Sequence, residues 1–253
     1  MATDLTLSPH AARHAADDSL GIDRAFVLSM ARVPVLAALW VAAAWLAHQA
    51  FLAAVPEQYS LLGPLAVLCV GMVLAAVIDG WAFKVPNWLT LSLVVSGWYL
   101  GVLHDCGVGV DAGVGGVGSA LAGTAIGFAL LFPMLFIQGM GQGDVKMQMG
   151  FGSWVGAYFG IGVGAEVIFC AFCLGAIVGG VFGLVMMFAR RQFGTNKGNF
   201  AAILGDLQTM LTDGPAKAAE RANSRRKNWV RLPYGVPLCV GFLGYLGYKL
   251  FLV

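Results

Sequence analysis

Charged side chains are scarce in this chain. They make up 11% of its 253 residues, whereas soluble domains carry about 25%. With 59% hydrophobic residues and a mean hydropathy of +0.80, a soluble fold could not cover its apolar surface. The solvent must therefore be largely lipid, and the fold class expected is all-α membrane protein. A net charge of +2 is too small to point to nucleic acid. Cysteine is also sparse. Cys69, Cys106, Cys170, Cys173 and Cys239 include one C-x-x-C, but Cys170 and Cys173 sit inside an apolar run without further ligands, so they read as small buried residues rather than a zinc or redox site. The first 32 residues are of mixed charge and form no signal-peptide core. Repeats, low-complexity tracts and a second soluble domain are lacking.

What the chain does have is apolar runs and glycine. Seven runs approach bilayer-spanning length, at about 33–55, 61–78, 88–103, 117–138, 147–163, 165–189 and 233–253. The stretch 147–189 must fold back on itself, and the Gly-rich GIGVGAE at 160–166 is the expected turn. Thirty-five glycines suit close helix approach in a bilayer. With the N-terminus inside, 14 of the 15 basic residues lie on the cytoplasmic side, Lys249 being the exception. The excess of Lys and Arg in cytoplasmic loops then predicts about seven transmembrane helices with a cytoplasmic N-terminus. Residues 1–60 read as a cytoplasmic tail plus one extra helix, and 61–253 as a membrane domain with a basic insertion at about 190–232. Within that insertion, Phe200, Ile203, Leu204, Leu207, Met210 and Leu211 have helical spacing. That pattern fits an amphipathic helix on the membrane surface, or equally one packed on the protein's own cytoplasmic face.

Two acids stand apart from those in loops. Asp79 and Asp144 each end an apolar run, and ionisable groups at membrane depth default to function. Two expected crossings, 88–103 and 117–138, separate them, so both return to the same leaflet. Two carboxylates meeting at ~4 Å and an effective dielectric of ~20 repel by on the order of 4 kcal/mol. That corresponds to roughly 3 pK units between titration steps, so such a pair shares one proton near neutral pH. The ionised member can activate a water while the protonated one polarises a peptide carbonyl, which is the chemistry of an aspartic protease. Each acid alone has a plainer reading: Asp79 as a helix-end acid paired with Lys84, Asp144 as an interfacial acid in a Gly-rich turn paired with Lys146. Lys84 and Lys146 either tune the acids or anchor the chain at the inner surface. Pro86 and Asn87 shape a helix start. His104 and Asp105 are expected in a solvated loop. Trp40, Trp45, Trp81, Trp88, Trp98 and Trp154 read as interfacial or packing aromatics.

The local sequences resemble the prepilin peptidases, leader peptidases of the GxGD aspartic protease group. Asp79 is followed, seven residues on, by Pro86 of a V-P-N-x-L-T run (85–90), and Gly141-Gln142-Gly143-Asp144-Val145-Lys146-Met147 reads as G-x-G-D-x-K-M. RLPYGVPLCVG (231–241) is similar to a P-Y/F-G-x-P patch near the family's last span. The resemblance covers about 61–189 and 231–250. It implies that Asp79 and Asp144 are catalytic; Gly141 and Gly143, which permit irregular backbone and close approach of a ligand, and Lys146, Pro86 and Asn87 are expected from their chemistry to bind substrate or shape the site. It also implies removal of short basic leaders from prepilins or pseudopilins at the cytoplasmic face of a bacterial inner membrane, with neither cofactor nor metal. The cytoplasmic domain associated with N-methylation has no counterpart, since only VPEQY (55–59) joins the first two spans. The chain therefore looks like the short Tad/Flp-associated kind. Presenilin-like relatives usually carry Tyr before the first Asp, where this chain has Ile78. The reading from another class is a proton-coupled transporter or channel using the same two acids, though the inverted repeats expected of one are not evident. An inactive pilus or secretion scaffold is the third.

Overall fold

A computed structural model describes residues 24–56, 59–110, 113–136, 140–189 and 234–251, with a few positions between 205 and 217. The described residues form six helices and no strand: α1 (Arg24–Ala54), α2 (Leu62–Ala82), α3 (Asn87–Asp105), α4 (Val117–Phe136), α5 (Gln142–Ala189) and α6 (Gly235–Phe251). The expected amphipathic helix at 200–211 and the N-terminal tail lie mostly outside the described residues. The chain is a helical membrane protein. Four segments, Met30–Ala54, Leu62–Ala82, Val117–Leu135 and Gln142–Met186, are long and apolar enough to cross a bilayer.

The expected fold-back within 147–189 becomes a single break. Gly160 has φ 72 and ψ −179, which divides α5 into two arms. That conformation is essentially confined to glycine, and it places the break at the first residue of the expected turn rather than across 160–166. Glu166 is consequently helical rather than in a loop. Its carboxylate accepts hydrogen bonds from the Lys249 Nζ at 3.0 Å and the Tyr245 hydroxyl at 2.9 Å, so Lys249 is ion-paired.

The first arm of α5 is the hub of the bundle, and its faces meet different neighbours. Toward α4 lies a seam of small residues. A Cβ added at Gly123 would strike the Gly152 carbonyl, one at Gly152 the Gly123 carbonyl, and one at Gly156 the Ser119 carbonyl. The G-x-x-x-G spacings of Gly123/Gly127 and Gly152/Gly156 thus bring two backbones into contact, as small-residue interfaces do in membranes. Toward α3 the contact is polar. The Trp154 Nε1–H lies within hydrogen-bond distance of the Ser96 Oγ at 2.8 Å and the Leu93 carbonyl at 3.0 Å. Toward α6, Phe151 stacks on Phe242 with centroids 4.1 Å apart.

Helix α3 is central, and its buried Thr90, Ser92 and Ser96 face protein rather than lipid. The Ser92 and Ser96 hydroxyls donate to carbonyls one turn back, so neither is a cost at this depth. Helix α1 packs on α2 and α3, with the Trp40 Nε1–H donating to the Ser92 Oγ at 3.1 Å. Its outer face, with Val35, Leu39 and Leu46, is exposed as a lipid-facing stripe should be. The tryptophans divide as expected between packing and surface: Trp154 is fully buried and Trp81 is 89% exposed.

His104 and Asp105 are not in a solvated loop. They close α3, where Asp105 Oδ2 accepts from the Val117 N–H at 2.8 Å and caps α4. The His104 Nδ1 approaches the Gly115 and Ala157 carbonyls at 2.9 and 3.1 Å. Cys170 and Cys173 are half-buried rather than fully buried.

Candidate active site

The site forms where α2 ends and α5 and α6 begin. Helix α2 stops because Phe83 takes a left-handed conformation (φ 51), its N–H donating to the Asp79 carbonyl at 2.8 Å, with Pro86 three residues further on. Asp79 occupies the last turn and is 6% exposed. Its Oδ2 accepts the backbone N–H of Gly235, the first residue of α6, at 2.9 Å. The carboxylate therefore faces the positive end of a helix dipole.

Asp144 has a parallel arrangement. It lies in the first turn of α5, is 5% exposed, and its Oδ2 accepts the Gly141 N–H at 3.1 Å. An acid at this helical position reaching back to the N-cap N–H is half of a capping box. One oxygen is thereby tied down, while Oδ1 is buried without a partner. The two carboxylates lie within electrostatic reach of each other. Among the described residues neither forms a salt bridge, which sets aside pairing of Asp79 with Lys84 and of Asp144 with Lys146.

The two motifs meet through their loops. Lys146 Nζ donates to Asn87 Oδ1 at 2.8 Å. A Cβ at Gly143 would lie 3.1 Å from that of Val85, so the glycine lets the first motif's loop lie flat against the start of α5. Gly141 supplies the N–H that holds Asp144, and Pro86, in extended conformation, is the N-cap of α3. Asp79, Asp144, Gly141, Gly143, Lys146, Pro86 and Asn87 thus gather at one end of the bundle. Glu166, Lys249 and the α3–α4 cap lie at the other, because α6 runs from Gly235 beside Asp79 to Lys249 beside Glu166.

Three residues of this region were not among those expected. Gly235 holds Asp79, and the signal for it was the YGVP patch, whose contact partner no local pattern discloses. Tyr234, just before it, lies near Asp144 and against Gly179 of the second α5 arm. Gln148, one turn past Asp144, is fully buried with neither carboxamide atom hydrogen-bonded.

Taken together, this geometry sets two buried carboxylates within electrostatic reach of each other, one of them with an oxygen that no protein group satisfies. The model of the type IV leader peptidase family matches residues 66–194, half of the chain, and includes both acids. No curated protein and no solved structure matches the chain.

Proposed function

The chain belongs to the type IV leader peptidase family, and on that premise we propose that it is an intramembrane aspartic endopeptidase whose catalytic pair is Asp79 and Asp144. The observation that carries this reading is the pair itself: two buried carboxylates from separate helices, within electrostatic reach, each anchored through Oδ2 by a backbone N–H. Anchoring leaves the remaining oxygens to act. One ionised carboxylate takes a proton from a water as its oxygen attacks the scissile carbonyl carbon. The protonated partner donates a hydrogen bond to the carbonyl oxygen, where negative charge develops. The C–N bond then breaks as the leaving amine gains a proton from the carboxyl that accepted one from water. Metal ligation is not required for any of these steps.

In this reading the substrates are prepilins or pseudopilins, cut between a short basic leader and an apolar helix. The chain crosses a bacterial inner membrane seven times with its N-terminus in the cytoplasm, and the acids open to that side. The charge pattern supports this orientation, with 14 of 15 basic residues on the same side as the acids. Lys146, fixed by Asn87, and Gly141, which lies against Asp144, line the approach, while Gly143 shapes the site by letting Val85 pack beside it.

Co-expression with a pilin bearing a basic leader tests the proposal. Asp79→Asn and Asp144→Asn should each abolish leader removal while the protein still inserts. Continued processing by either variant overturns the assignment. Loss of proton flux with intact processing favours a transporter instead.

A further inference from the structure

Among the described residues, three buried side-chain polar atoms lack a hydrogen-bond partner: Asp144 Oδ1, Gln148 Nε2 and Gln148 Oε1. They fall on two residues four apart in one helix, hence on one face, with Cβ atoms about 5–6 Å apart. Buried polar groups are nearly always satisfied in native proteins, and each exception calls for a physical reason. The surroundings do not explain this one. Ser153 and Trp154 lie in the same arm, and both find partners. A methionine would fill the position of Gln148 without stranding a donor and an acceptor.

We infer that Gln148 is a substrate-binding residue, whose carboxamide hydrogen-bonds the main chain of the peptide about two residues to the apolar side of the cut. The inference rests on Asp79 and Asp144 being the proteolytic pair. Its first support is chemical. A carboxamide carries a donor and an acceptor side by side, which complements the C=O and N–H of a peptide unit. Peptide bonds are cut in extended form, and an extended segment at membrane depth loses its intrahelical hydrogen bonds with no water to replace them. Gln148 supplies replacements at that depth.

The second support is dimensional. Helix α5 runs from Asp144 into the bundle, and four residues at 1.5 Å each place Gln148 about 6 Å further in. An extended chain advances about 3.3 Å per residue, so that distance spans about two residues. The direction is inward, toward the part of a leader-peptidase substrate that is an apolar helix. Gln148 thus holds open the first turn of that helix while the acids act on its end.

The test uses the full chain in proteoliposomes and a synthetic peptide with a short basic leader and about 20 apolar residues. A matched peptide carries an ester in place of the second amide beyond the cut. Wild type should cleave the ester peptide with kcat/KM reduced about tenfold. Gln148→Met should insert, unfold at no lower temperature, cleave the amide peptide about tenfold less well, and treat amide and ester alike. Wild-type kcat/KM for Gln148→Met on the amide peptide overturns the inference, as does equal ester sensitivity in both enzymes. Should Gln148→Met fail to insert, an ester scan of the first four amides with wild type still decides. A loss confined to the second or third supports the inference, and a flat profile overturns it. Failure of the catalytic assignment reads out separately, as cleavage of the amide peptide by Asp144→Asn.

Discussion

Gly235 donates its backbone N–H to Asp79 at 2.9 Å across 156 residues of sequence. A Cβ at position 235 would come within 2.9 Å of the same carboxylate oxygen and 3.0 Å of the Asp79 Cβ, so the contact is open to glycine alone. The last helix therefore sets the position of the Asp79 carboxylate.

Gly235→Ala should push Asp79 aside without unfolding the bundle, because the obstructed atoms belong to one side chain. A misplacement of about 1 Å in a catalytic group can cost about 100-fold in rate. Leader cleavage in membranes should fall by at least tenfold, with protein level and unfolding temperature close to wild type. Unchanged cleavage would show that Asp79 does not depend on this anchor.

Gly123→Ala and Gly152→Ala should each destabilise the fold, since the new methyl meets a backbone carbonyl on the facing helix rather than a side chain that can turn away. Overpacking of this sort costs about 1–3 kcal/mol. A lower unfolding temperature in detergent, for both variants, is the expected result. Gly118→Ala is the control, because nothing lies within 4 Å of its would-be Cβ.

At Gly160 the space is open, yet φ is 72. The penalty of Gly160→Ala is therefore in the backbone, about 1–3 kcal/mol. The unfolding temperature should drop. Activity at low temperature should survive, because the break lies four helical turns beyond the acids. Stability equal to wild type would mean that the two arms of α5 join differently.

Much of this site was legible in sequence because its signals are local. Asp79 and Asp144 stand out as acids at the ends of apolar runs, and the spacing to Pro86 and the Gly141–Gly143 pair marks both as motifs. Two intervening runs place them at one end, and they do lie there. Gln148 was not legible, since a lone amide in an apolar run looks the same whether partnered or stranded. The positions of His104, Asp105 and Glu166 were misread for a related reason. Polar residues near a span's end look like loop until a helix cap or an ion pair is seen to hold them.

By itself, the sequence determined the solvent, the helices and that two acids end apolar runs at one end of the bundle, because hydropathy, breaks and motif spacing are written in neighbouring residues. Only the tertiary structure decided that Gly235 holds Asp79, that Lys146 turns to Asn87 rather than Asp144, and that Gln148 is left unsatisfied. Those outcomes depend on how far each helix is rotated about its axis. Rotation is fixed by the fit of many side chains at once, such as the glycine seam of α4 and α5 and the Phe151–Phe242 stack, and no stretch of residues carries that information alone.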